Sequence, residues 1–208
     1  MADLPPDSPS PAAGIVQRAK DILMKPKETW PVIAAEPATT QSIYVPYVVA
    51  LAAIGPVAGL IGGQLVGVSV LGVTWHPPIG VALTSAILSY GLTLATVFIL
   101  ALVIDGLAPN FGGQKKQIQA LKVAAYSGTA AWVGGIFGLI PMLGLIGLLF
   151  ALYGLYILYL GLPVLMKVPQ DKALGYTVVV VIVAIVLFLI VGAVVASITA
   201  PSLIGAQM

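Results

Sequence analysis

Residues 43 to 66 read IYVPYVVALAAIGPVAGLIGGQLV, a run without one charged side chain. A helix of this length rises about 36 Å at about 1.5 Å per residue, enough to cross a hydrocarbon core about 30 Å thick. The run sits inside a longer block, Pro37 to Ile104, that contains no Asp, Glu, Lys or Arg. Working outward, the whole chain of 208 residues is 60% hydrophobic and 8% charged. A water-soluble domain carries about 25% charged residues, so this chain cannot tile a polar surface. The composition describes an integral membrane protein.

Dividing the charge-poor blocks by the length of a span gives an all-α polytopic fold. The first block holds spans at about 43–66 and 79–104, separated by GVSVLGVTWHPPIG, which reads as an outer loop. The second holds spans at about 120–140 and 143–165, pinched at LIPMLG (139–144), and the last holds one at about 174–197. Parity supports five crossings. Both ends of each two-span block are flanked by Lys or Arg, and basic residues stay cytoplasmic. All nine basic residues then fall on one face: Arg18, Lys20, Lys25, Lys27, Lys115, Lys116, Lys122, Lys167 and Lys172. The expectation is a cytoplasmic N-terminus and an exoplasmic C-terminus.

Charges crowd instead into RAKDILMKPKETWPVIAAEP, residues 18 to 37. Ile15, Val16, Ala19, Ile22 and Leu23 recur on one helical face, with Gln17, Arg18, Lys20 and Asp21 on the other, until Pro26 ends the pattern. Residues 15–41 therefore read as a cytoplasmic amphipathic helix and linker lying in the interface. Arg18, Lys20, Lys25 and Lys27 would face anionic lipid headgroups and Trp30 would sit at headgroup depth. Residues 1–14, MADLPPDSPSPAAG, are acidic and proline-rich, unlike a signal peptide, and read as a disordered tail ahead of a membrane domain at 42–208.

Helices in lipid associate through close backbone approach and hydrogen bonds. Gly55, Gly59 and Gly63 repeat along the first span, and Ser85, Ser89 and Thr93 along the second, so both read as packing seams. Tyr126, Tyr153 and Tyr156 place phenols that need partners inside the membrane. Asp105 closes the second span where the helix dipole disfavours an anion. A clasp by Lys115, Lys116, Lys122 or Lys167 is the expectation; an ion or proton role is the other reading.

Catalytic, metal and cofactor sites are not expected. The chain has no cysteine, and His76, the single histidine, lies in the outer loop. Neither a Ser-His pair within the membrane nor a multi-histidine metal site is available. Asp105 is the only carboxylate bordering a span, so a carboxylate dyad would need a second copy of the chain. FGGQKK at 111–116 lacks phosphate-loop spacing. A net charge of +2 with dispersed lysines excludes nucleic acid as a partner.

Three segments are distinctive as ordered text: RAKDILMKPKETWPVIAAEP, LVIDGLAPNFGGQKKQIQALKVAAYSGTAAWVGGIFGLIP (102–141) and LYGLYILYLGLPVLMKVPQDKALGYTVVVVIVAIV (152–186). On these the chain resembles a bacterial member of the Yip family, the Ypt/Rab-interacting membrane proteins, from about residue 15 to 190. The resemblance implies a five-span bundle with a cytoplasmic N-terminus. Family members typically carry a proline shortly after the AYS of the third span; here Gly128, Thr129, Ala130 and Ala131 follow Ser127, which removes the basis for a kink. Rab binding is not implied, because the long acidic N-terminal region of eukaryotic relatives has no counterpart in these residues.

The resulting expectation is a non-enzymatic protein of the bacterial cytoplasmic membrane that organises membrane or partner proteins. Its partners would be the bilayer, anionic lipids, an unidentified membrane or cytoplasmic protein, or further copies of the chain. The alternative is a small-solute or ion transporter or channel whose path passes Asp105 and the hydroxyl seam.

Overall fold

The computed structural model describes residues 11–70 and 73–205, so most of the expected tail lies outside the described residues. The chain opens with two short helices, α1 (Pro11–Met24) and α2 (Pro26–Ala35). Residues 11–14, read from sequence as tail, belong to α1. Pro26 starts α2 because its missing N–H falls where a helix has no acceptor to offer. A capping box between Thr39 and Ser42 then starts α3 (Thr40–Leu65), the first long apolar helix. Its ladder widens into a π turn over Tyr44–Val48, around Pro46, which cannot donate to the preceding turn.

The connection after α3 is not an irregular loop. Gly67, at φ +81°, turns the chain into β1 (Val68–Val70), which pairs antiparallel with β2 (Val73–Trp75) in the register Val68 to Trp75. VSVLGVTW carries the signal: β-branched residues on either side of a Leu-Gly pair. Next come α4 (Ile79–Phe111), then the short helices α5 (Gln117–Ser127) and α6 (Thr129–Gly134), then a 3-10 stretch over Gly135–Leu139. Two more long helices follow, α7 (Pro141–Met166) and α8 (Gln170–Gly205). The end of α7 is Lys167, in the left-handed region at φ +53°.

Among the described residues, four helices are long and apolar enough to cross a membrane: α3, α4, α7 and α8. The five-helix expectation is not met by continuous helices, because the third expected span is interrupted. Ser127 donates its hydroxyl proton to the Val123 carbonyl, 2.6 Å, and Thr129 donates to Tyr126 O, 2.7 Å. Such back-bonding bends helices, and Gly128 between them offers no side chain to resist. The paired Gly134 and Gly135 then tighten into the 3-10 turn. A break therefore exists without the family's proline.

The interrupted segment is the centre of the bundle. Ala120 through Ala125 are all buried, Lys122 included. The segment runs antiparallel to α7, with Ser127 O facing Gly154 and Gly134 facing Gly147 and Phe150. It runs parallel to α3, with Thr129 bonded to Tyr47 and Gly135 against Gly55. By contrast, α8 packs on α4 and α7 and buries only 6% of its most apolar window, the pattern of a peripheral helix facing lipid.

Candidate functional site

The N-terminal pair does not lie flat on lipid with its apolar side down. Ile22, Trp30 and Ile33 are fully enclosed by protein, and Ala19 packs against Tyr47 and Leu51 of α3. Trp30, expected at headgroup depth, is 1% exposed, and its Nε1 donates to the Ile157 carbonyl of α7, 3.0 Å. Its ring fills the space where Gly161 lacks a side chain; a Cβ there would come 2.5 Å from it. Tyr153 donates to Leu23 O at the corner between α1 and α2, 2.7 Å. Ile157 and Tyr153 lie nine and thirteen residues before Met166, about 14 and 20 Å along α7. The pair is thus packed along the side of α7, where the slot at Gly161 takes the Trp30 ring and two hydrogen bonds, from Trp30 and from Tyr153, join it to the helix.

A polar seat closes the wedge. Lys122 Nζ donates to the carbonyls of Ile33, 2.7 Å, and Glu36, 2.6 Å, capping the last turn of α2. Those carbonyls have no helical partner, and the cation also meets the negative end of the helix dipole. Gln119 adds a bond to Ala34 O, 3.0 Å. Arg18 pairs with the Glu36 carboxylate and stands 6.0 Å from the centre of the Tyr126 ring. Tyr126 packs edge-on against Tyr47, whose hydroxyl reaches Thr129 Oγ1 at 2.7 Å. Since Thr129 spends its own proton on Tyr126 O, Tyr47 is the donor. Charge and ring thus hold α1 and α2 to α3 and the interrupted segment.

The other expected site residues divide. Lys20, Lys25 and Lys27 are exposed, and Lys25 has a loose pair with Glu28 at 3.9 Å. Tyr156, beside Tyr153, faces outward at 43% exposure. Asp105 is 7% exposed, but the expected lysine clasp is absent: Lys122 is spent on α2, Lys115, Lys116 and Lys167 are exposed, and Asp105 Oδ1 has no hydrogen-bond partner among the described residues. Nor does Tyr176, the nearby phenol, donate to it, since its hydroxyl goes to Ile104 O. Lys122 meets the end of α2 and not Asp105, because the open carbonyls of that helix end come within its reach only when the chain folds.

The two seams also differ from expectation. Close approach between α3 and the 3-10 stretch is real, but the glycines that require it are Gly62, Gly135 and Gly138. A Cβ on Gly62 would sit 2.7 Å from Leu139 O, and one on Gly135 would sit 2.7 Å from Gly55 Cα. Gly59 has open space, and a Cβ at Gly63 would make only ordinary contact with Pro77, 3.7 Å away. Ser85, Ser89 and Thr93 do not pack helix on helix; they border two cavities of about 570 and 480 Å³ that share Ser89, Thr93 and Val195. Asp105 lines neither, so the carboxylate and the hydroxyl seam do not meet in one chamber.

This arrangement holds helices together, and no group of three or more His, Cys, Asp or Glu that could hold a metal ion occurs among the described residues. One family match takes in the interrupted segment, α2 and the end of α1: the model for the Yip1 domain covers residues 20–192. The chain belongs to the Yip1 domain family. No curated protein and no solved structure matches it. The Yip1 domain here begins inside α1 and runs into α8, so it includes Trp30, Lys122 and most of the lining of both cavities, while Arg18 and the cavity residue Val195 lie just beyond its ends. As an apolar, largely helical Yip1 domain, the protein is an integral membrane protein.

Proposed function

We propose that this Yip1 domain is a non-enzymatic organiser of membrane or partner proteins, working from a basic cytoplasmic platform fixed to its bundle. The observation that carries the reading is the seat. Lys122 and Trp30 fasten α1 and α2 to the bundle, while Lys20, Lys25 and Lys27 stay exposed. Such a platform presents its lysines without a loose tail, and each adds about 1 kcal/mol of attraction to an anionic leaflet.

The proposal includes five crossings in a bacterial cytoplasmic membrane, with the N-terminus cytoplasmic and the C-terminus exoplasmic. The interrupted segment is the third crossing. Its 11 and 6 helical residues and five 3-10 residues, if collinear, extend about 35 Å against a core of about 30 Å. Its contacts with α3, from Tyr47 to Gly62, support the same extent. A reporter fused after Met208 is expected to be active outside, and one fused before Ala2 inside. Cytoplasmic activity of the C-terminal fusion would remove the fifth crossing.

The function is tested by cross-linking mass spectrometry in native membranes, comparing the natural chain with Lys20→Gln/Lys25→Gln/Lys27→Gln. Loss of cross-links to one protein or to anionic lipid, at an unchanged melting temperature, is the expected result. Unchanged cross-links, together with solute or ion flux in reconstituted vesicles, would replace the organising role with transport.

A further inference from the structure

The two cavities along α4 are not accounted for by the wedge, the seat or the basic platform. They meet at Ser89, Thr93 and Val195, and their lining on α4 runs from Val81 to Leu100. That is about 28 Å of helix, against about 15 Å for one leaflet of the hydrocarbon core. Each is of ligand size, within the usual range of about 300–1,000 Å³.

Their chemistry selects the occupant. Ser89 donates to Ser85 O, 2.6 Å, Thr93 to Ser89 O, 2.7 Å, and Ser127 to Val123 O, 2.6 Å. These hydroxyl protons are spent within their own helices, which leaves Thr96 as the only hydroxyl of the larger cavity without such a bond among the described residues. No charged side chain lines either cavity. A polar solute or hydrated ion would lose its water there for few replacement donors, Ser85 being the smaller cavity's hydroxyl without such a bond among the described residues. The outer wall is α8, the least buried of the long helices, and its lining residue Phe188 is 74% exposed. The opening therefore faces the space where lipid tails lie.

We propose that the joined cavities hold one acyl chain of a bilayer phospholipid, which enters sideways past α8. The site is made by the broken third segment: with small residues at Ser127, Gly128 and Ala131 it leaves a gap beside α4 that a straight, large-residue helix would fill. This inference stands apart from the organising role and from any partner of the basic platform.

The three tryptophans provide the test. Trp132 lines the larger cavity, Trp75 the smaller, and Trp30 is sealed in the wedge. The full chain carrying Trp75→Phe is titrated in mixed micelles with phosphatidylcholine brominated in mid-chain, and compared with Trp75→Phe/Trp132→Phe, in which only Trp30 reports. The Trp132 signal is expected to be quenched and to saturate near one lipid per protein, with Trp30 little changed. Ala184→Phe, which fills the cavity from α8, should shift the titration about tenfold, or about 1.4 kcal/mol, to higher lipid. Ala193→Phe, with equal bulk outside the lining, should not. Three outcomes overturn the proposal: quenching that rises in proportion to bulk lipid without saturating, no Trp132 quenching beyond that of Trp30, or stronger Trp132 quenching by aqueous iodide than by brominated lipid. If Ala184→Phe fails to fold, the contrast between Trp132 and Trp30 in the natural wall decides alone.

Discussion

The end of the bundle that carries the N-terminal pair and the end that carries the β-hairpin are held together by opposite means. At the first, large side chains and charges interlock: the Trp30 ring fills the Gly161 gap, Lys122 caps α2, and Arg18 joins Glu36 to the Tyr126 ring. At the second, backbones touch through Gly62, Gly135 and Gly138, and small residues along α4 leave cavities. The difference teaches where partners for polar groups are found. Near the N-terminal pair, irregular backbone supplies carbonyls for a buried cation; between the long helices only side chains as long as tyrosine reach a neighbour's carbonyl, as Tyr44 reaches Leu94 O, while the short serines and threonines turn back on their own turns.

The comparison is most easily broken at the tryptophans. Trp30→Ala or Gly161→Leu should each lower stability by about 3–5 kcal/mol, the cost of emptying or blocking a large aromatic site, whereas Trp75→Ala in the hairpin should cost about 1 kcal/mol. Detergent melts read both, and equal losses would erase the distinction between the two ends.

Lys122→Met should cost about 2–3 kcal/mol, since it leaves two carbonyls at the end of α2 without their cation. Ser89→Ala should cost about 0.5 kcal/mol or less, because its bond stays within one turn. Protease protection of residues 11–35 in the folded protein should fall with the first variant only.

Gly62→Ala should cost about 2 kcal/mol by overpacking against the 3-10 stretch, whereas Gly59→Ala should be neutral or gain up to about 1 kcal/mol from helix propensity. A loss at Gly59 matching that at Gly62 would restore the regular four-residue seam.

Little effect is expected at Asp105. With Oδ1 buried and unpaired, Asp105→Asn should leave stability within about 1 kcal/mol of the natural chain, and double-mutant cycles with Lys115, Lys116 or Lys122 should show no coupling. Coupling above about 1 kcal/mol to any of them would reinstate the lysine clasp.

Much of this was legible in advance because the bilayer imposes a single rule on every stretch of chain. The four long helices follow from charge-free runs, α8 follows as the peripheral helix because its run has no small-residue seam before Gly192, and the apolar side of α1 follows from Ile15, Ala19, Ile22 and Leu23. Two local signals were present but passed over. The alternation in VSVLGVTW marks the hairpin, and a lone lysine in ALKVAAYS, on a helix with hardly another polar side, marks a buried cation that needs acceptors.

By itself, then, the sequence determined membrane residence and helical class, since each depends on composition or on periodicity within one segment. Tertiary structure alone decided what α1 covers, which acceptors Lys122 meets, that Asp105 Oδ1 has no partner, and that the hydroxyl seam borders a cavity. Those outcomes depend on pairs such as Trp30 with Ile157 and Lys122 with Ile33, separated by 127 and 89 residues. The physical reason is that a side chain's partner is fixed by which groups the packed helices bring within its reach, helix ends with open carbonyls among them, and no single segment contains that information.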